Sequence, residues 1–247
     1  MKKFEIKTSE GFSVKCTANI PEDPRAFVIV THGFGSSMES PTAKMMLEKL
    51  PPAGYGAVAY DLPGHGLAKE EELSLTSCIK HMKAVESYLI EQYMFPRILY
   101  FSSSFGAYVN LNYLAKEKHL GDKSFLRSAA VNMPELFLEE TNPAMVKTLN
   151  EKGYILIQAG GPHTVKVPKI FFEELEANSV FDLPDPDVEV MMVHGEKDEV
   201  IDPKKALLFS QQRHIPIEML PGEDHTLSTN PDSPEKVADM AITFFSL

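Results

Sequence analysis

An α/β domain built on a mainly parallel sheet is predicted by three observations. Short, nearly unbroken apolar runs recur along the chain, as strands buried on both faces do. Longer stretches with helical spacing lie between those runs, giving the strand–helix alternation of a parallel sheet. The length, 247 residues, is enough for one large domain with a well-buried core.

The elements follow in order. "FEIKT" (4–8) and "FSVKCTANI" (12–20) alternate apolar and polar residues around Glu10-Gly11, the pattern of a half-solvated hairpin. "AFVIVTHG" (26–33) is apolar until its final residues and reads as a strand covered on both sides. "YGAVAYD" (55–61), "RILYFS" (97–102), "RSAAVNM" (127–133) and "VEVMMVHG" (188–195) have the same character, and "IEML" before Pro221 closes the series. Helical spacing places helices near 40–50, 76–93, 105–118, 203–213 and 233–246. From 134 to 182 the rhythm breaks. "PELFLEET", "PAMVKTLNEKGYILI" and "PKIFFEELEAN" read as successive helical pieces with no strand between them. This segment is expected to be a cap or lid inserted between the sixth and seventh core strands of a single domain spanning 1–247. Its Phe137, Tyr154, Ile155, Phe171 and Phe172 would face the core or a cleft.

Composition narrows the function classes. The net charge of −11 argues against nucleic acid, whose binding relies on Lys and Arg neutralising phosphates. It also disfavours polyanionic substrates and anionic membrane surfaces as partners. No apolar run approaches the roughly 20 residues needed to span a bilayer. The basic start "MKKFEIKTSEGF" has no apolar stretch behind it, so it does not read as a secretory signal. Cys16 and Cys78, far apart, suggest neither a disulfide framework nor a metal cluster. A cytoplasmic location is the expectation.

"YFSSSFGAY" (100–108) raises the question of a nucleophile. A serine hydroxyl attacks only when a base takes its proton and donors stabilise the oxyanion that forms. One solution sets the serine on a sharp strand-to-helix turn, with small residues on either side, in the frame G-x-S-x-G. Ser104 fits the centre, Gly106 the second glycine, and Ser102 stands where the first glycine belongs. The alternative is a polar turn whose serines cap the helix. Asp198, after "VMMVHG", and His225, after "IEMLPGED", decide for a nucleophile. The order Ser104, Asp198, His225 is that of one family of catalytic triads. Loops leaving the C-terminal ends of parallel strands share one edge of the sheet, so the three side chains can converge there.

At this point the chain resembles an α/β-hydrolase, and within that superfamily the small bacterial capped esterases, including feruloyl (cinnamoyl) esterases and monoglyceride-lipase-like enzymes. "THGFGSS", "YDLPGHG", "SSSFGA", "HGEKDEVI" and "GEDH" fall in family order, and the likeness runs from Phe4 to Phe245. It departs at Ser102, and at "PGHGLA", where many relatives carry a serine after the second glycine. The motif makes the N–H of Phe105 one oxyanion donor; the resemblance implies the N–H of Phe34, in "HGFG", as the other. It implies a serine esterase acting through an acyl-enzyme, with no cofactor and no metal. Acyl transfer, peptide hydrolysis and monoacylglycerol hydrolysis remain open to the same triad, as does a hydrolase-like fold that only binds a small ligand. Tyr154, Ile155 and Phe171 of the insertion are the candidate pocket residues for a short-chain or hydroxycinnamoyl ester.

Other polar residues have plainer readings. Asp202 precedes Pro203 and reads as a helix N-cap. Glu223 and Asp224 read as solvated loop acids, Asp61 and His65 as turn residues, and His32 as ordering the oxyanion loop. His163, after "AGGP", reads as a surface histidine with substrate contact as the rival.

Overall fold

The structure, a computed structural model, describes residues 1–94, 96–159 and 164–246. Among the described residues an eight-stranded sheet runs in the order β1-β2-β4-β3-β5-β6-β9-β10. Its strands are β1 (Lys2–Lys7), β2 (Ser13–Asn19), β3 (Ala26–Thr31), β4 (Tyr55–Tyr60), β5 (Ile98–Ser103), β6 (Gly121–Arg127), β9 (Glu189–Gly195) and β10 (Ile217–Leu220). Only β2 runs against its neighbours, β1 and β4; from β4 to β10 every pairing is parallel. The chain therefore has the α/β-hydrolase type of fold.

The alternation along the central strands explains two separate cores. Phe27, Ile29, Val58, Tyr60, Ile98 and Tyr100 point to one face, where α2 (Leu75–Gln92) and α3 (Phe105–Lys116) pack. Val28, Val30, Ala57, Ala59, Leu99 and Phe101 point to the other, covered by α1 (Pro41–Lys49) and α8 (Ser233–Ser246). Side chains at successive strand positions face opposite sides, so a strand covered on both must be apolar throughout. The helices have local reasons to start where they do. Ser40 accepts from the N–H of Ala43 at the start of α1, with Pro41 at its first position. Ser74 and Ser77 form a reciprocal capping box on α2. α7 (Pro203–Arg213) begins at Asp202, whose carboxylate accepts from Lys204 N–H at 2.9 Å.

Two sequence expectations need correction. The sixth strand is 121–127, not "RSAAVNM". β6 carries Lys123, which is buried but pairs with Glu189 at 3.0 Å, so a polar-looking run is interior. The strand stops at Arg127 because Ser128 takes φ 47°. The insertion is not wholly helical either. Between α4 (Met133–Glu140), α5 (Pro143–Lys152) and α6 (Lys169–Glu176) lie β7 (Tyr154–Gln158) and β8 (Thr164–Pro168), paired antiparallel. Gly153, at φ 75°, ends α5 and releases "YILIQ", whose branched residues favour a strand. All of this stands between β6 and β9, the sixth and seventh strands of the large sheet. Among the described residues no helix is long and apolar enough to cross a membrane.

Candidate active site

Ser104 sits between β5 and α3 at φ 52° and ψ −118°, a backbone conformation that side chains bearing a Cβ rarely adopt. Two close approaches put glycines beside the turn, one that a Cβ would clash with outright and one that a Cβ would crowd. A Cβ on Gly106 would lie 2.5 Å from the carbonyl oxygen of His32, and one on Gly33 would lie 3.1 Å from Ser104 Cβ. Ser102, in the first glycine position, is wholly buried and its hydroxyl finds no partner among the described residues.

The structure brings Ser104, His225 and Asp198 together. Ser104 Oγ donates to His225 Nε2 at 3.0 Å, and His225 Nδ1 donates to Asp198 Oδ2 at 2.8 Å. These bonds fix the neutral ring as the Nδ1–H tautomer, leaving Nε2 to accept a proton. Asp198 is buried, and burial alone would raise its pKa. Hydrogen bonds from His194 and His225, with backbone N–H donors, outweigh that and hold it well below the usual carboxylate range. Its Oδ1 accepts from Val200 and Ile201 N–H at 2.9 and 2.8 Å, and its Oδ2 also accepts from His194 Nε2 at 3.1 Å. The acid is thus anionic and fixed from several sides.

The His225 loop is fastened to the end of β6. Ser128 Oγ donates to the His225 carbonyl at 2.9 Å, and Arg127 Nη2 donates to the Thr226 carbonyl. Glu223 departs from expectation: it is buried, and accepts from Thr229 N–H, Asn230 N–H and Ser233 Oγ at 3.1, 3.0 and 2.7 Å. It shapes the same loop from within. Asp224 accepts from Thr226 N–H at 2.8 Å. His194, Arg127, Ser128 and Glu223 were not singled out as site residues in the sequence. No local motif marks them, because their partners lie on other loops.

The N–H groups of Phe34 and Phe105 make no hydrogen bond among the described residues, as donors kept for a ligand would not. The loop bearing Phe34 is ordered by His32, whose Nδ1 donates to Gly33 O at 2.8 Å and whose Nε2 accepts from Leu62 N–H at 3.0 Å. Asp61 joins two loops, accepting from Met38 and Leu67 N–H at 2.7 Å each. His65 is buried in its turn, with Nδ1 donating to Pro63 O at 2.8 Å.

A cavity of about 510 Å³ opens at Ser104 and His225. It runs toward α1 and α8, past Phe34, Met45, Phe101, Arg127 and Val237. Tyr154, Ile155 and Phe171 do not line it, so the expected pocket residues are corrected. Phe171 and Ile155 are buried in the core on the opposite face of the sheet, where the Phe171 ring meets Phe105 and Phe137 at 5.6 and 5.4 Å. Tyr154 lies under Lys166 on the β7–β8 hairpin. Apolar spacing shows that such residues are interior but not which face the cavity enters. The insertion reaches the site elsewhere: Phe137 packs edge-on against Phe34 at 5.4 Å, and Ala159 fills the space beside Gly35. His163 lies outside the described residues.

A family model described as serine aminopeptidase, S33 matches residues 22–162, more than half of the chain. No curated protein matches at the level of sequence. Among solved structures, Est1E from Butyrivibrio proteoclasticus with ferulic acid bound is similar at 21% identity and a TM-score of 0.79, over 98% of this chain and 97% of that one. A putative hydrolase from Agrobacterium vitis S4 is similar at 20% identity and the same TM-score, over 97% and 96%. A thermostable carboxyl esterase from Bacillus coagulans is similar at 16% identity and a TM-score of 0.74, over 99% and 97%.

Proposed function

We propose that this chain, which belongs to the α/β-hydrolase family described as serine aminopeptidase, S33, hydrolyses small carboxylic esters through Ser104, His225 and Asp198. The observation that carries the reading is the unbroken hydrogen-bond line from Ser104 Oγ through His225 to Asp198, at 3.0 and 2.8 Å. His225 takes the Ser104 proton as Oγ attacks the ester carbonyl, and Asp198 stabilises the imidazolium that results. The oxyanion is met by the N–H groups of Phe34 and Phe105. His225 then protonates the leaving alkoxide, and a water activated by the same ring releases the acid from the acyl-enzyme. The insertion over 134–182 serves as a cap that braces the Phe34 loop.

The family description raises aminopeptidase action as a second reading. An aminopeptidase must receive its substrate's terminal ammonium, which calls for an anion near the nucleophile. Among the described residues that line the cavity there is no Asp or Glu, and Arg127 places a cation there instead. That charge favours esters. The cavity's mixed lining, with Ser36, Ser40, Thr42 and Ser228 among its apolar residues, suits a short acyl group more than a long chain.

A fluorophosphonate probe should label one residue, Ser104, by peptide mapping. Butyryl esters should be cleaved with a higher kcat/KM than dodecanoyl esters, methyl ferulate or leucine p-nitroanilide. Ser104→Ala should lower kcat by roughly a thousandfold or more. Label on Ser102 or Ser103, or undiminished turnover in Ser104→Ala, would overturn the assignment, and preference for the anilide would restore the peptidase.

A further inference from the structure

Arg127 ends β6 in register with Ser103, the residue before the nucleophile, and lines the cavity together with Ser104 and His225. It is only 9% exposed. Its one hydrogen bond from the side chain among the described residues goes to the Thr226 carbonyl. No described carboxylate lies within ion-pair distance of it, and the acids that act on it from further away are already engaged. Asp198 is held by both histidines and two backbone N–H groups, and Asp224 by Thr226. Burial lowers the guanidinium to about 10 against the pull of Asp198 and Asp224, which still leaves it cationic near neutrality.

A guanidinium withdrawn from water with one carbonyl partner is under-compensated. The sealed, partnerless side-chain atoms of the protein are His65 Nε2, Ser102 Oγ, Asn112 Oδ1, Asn132 Oδ1 and His194 Nδ1 among the described residues. None belongs to Arg127, so its unmatched nitrogens are not sealed off, and the residue lines the cavity beside Ser104 and His225. Holding the Thr226 carbonyl would need only one neutral donor, and Ser128 already fastens the neighbouring His225 carbonyl at 2.9 Å. A charged fork at this place calls for a planar anion.

We propose that Arg127 is a substrate-binding residue that receives a carboxylate, so that the preferred substrates are small esters carrying a carboxylate group. The proposal rests on the ester-hydrolase reading above and names its substrate class. The overall charge of −11 is no obstacle, because the field inside a cleft is set mainly by the groups lining it.

Two substrate pairs test it and distinguish which side of the ester bears the anion. Monomethyl succinate against methyl 4-methylpentanoate reads the acyl side; 4-(butyryloxy)benzoate against 4-isopropylphenyl butyrate reads the alcohol side. In the wild type at least one anionic ester should exceed its neutral isostere in kcat/KM by about tenfold or more. In Arg127→Met that ratio should fall to about one, whatever the absolute rate, because both members of a pair use the same triad. Ratios below tenfold in both pairs, or a ratio that survives in Arg127→Met, would overturn the proposal. A readout without turnover separates this from failure of the ester reading. By calorimetry, Ser104→Ala protein should bind the favoured anionic ester and Ser104→Ala/Arg127→Met should not. Binding by neither or by both defeats the carboxylate site, while binding by the first alone without wild-type turnover defeats only the esterase.

Discussion

At Ser104 the chain holds φ 52° while carrying a side chain, and the hydrogen bonds around it show how. Its N–H donates to Arg127 O at 2.9 Å, and its carbonyl accepts from Ala107, Tyr108 and Ala130 N–H at 2.9, 3.3 and 3.2 Å. The surroundings therefore impose a conformation that the residue itself resists, at a cost of about 1–3 kcal/mol. Removing the hydroxyl and removing the Cβ should then differ. Ser104→Ala and Ser104→Gly are both expected to be inactive, but the glycine variant should be the more stable by about 1 kcal/mol. Urea midpoints of the two compare them directly; an alanine variant as stable as the glycine one would show that the turn is unstrained. Ser104 was legible as the candidate nucleophile from its frame because this geometry restricts its neighbours to small residues. Ser102 was the misfit in that frame. It lies inside β5, where a serine fits the space but leaves its hydroxyl unmatched.

Among the elements, the insertion and the loop bearing Phe34 meet at Gly35, where φ is 69° and a Cβ would stand 2.1 Å from Ala159 Cβ. Neither atom belongs to a flexible side chain, so Gly35→Ala must displace the loop, the insertion or both. It should lower kcat by at least about tenfold with little change in secondary structure by circular dichroism. Activity near the wild-type level would show that the insertion does not brace the loop. The doubly covered strands could be read from sequence because their apolar runs leave no room for ambiguity about burial. β6 could not: "GDKSFLR" looks like surface, and its Lys123 is interior only because Glu189 on β9 and the Phe244 carbonyl on α8 receive it. Such partners are distant in sequence. The same reason hid Arg127 and His194, whose roles depend on the loops that follow β10 and β9, and it misled the choice of pocket residues within the insertion.

Over the whole molecule, loops from the C-terminal ends of β3, β4, β5, β6, β9 and β10 meet at one sheet edge, and two buried histidines tie that edge together. His32 Nε2 accepts the Leu62 N–H, so a proton there would face another N–H across 3.0 Å. Asp61 Oδ1 stands 3.9 Å away. His65 has no partner at Nε2 among the described residues. Burial pushes the two down to about 4 and about 3, while in an unfolded chain both titrate near the ordinary value of about 6.5. Between those values the unfolded chain binds protons that the fold refuses, so stability is present above pH 6.5 and is lost as the pH falls. At pH 5 each histidine should withdraw roughly 2 kcal/mol, a large share of the 5–15 kcal/mol typical of a domain. Relief of self-repulsion acts the other way, since the net charge approaches zero near the isoelectric point of about 5.2. Asp61, raised by its own burial, also opposes the loss, but only toward the carboxylate range. The urea midpoint should therefore drop between pH 7.5 and pH 5. His65→Asn, whose amide can still reach the Pro63 carbonyl, should flatten that dependence because it cannot titrate. A midpoint that holds or rises toward pH 5, or an equal slope in His65→Asn, would mean that these rings are not the groups that refuse the proton.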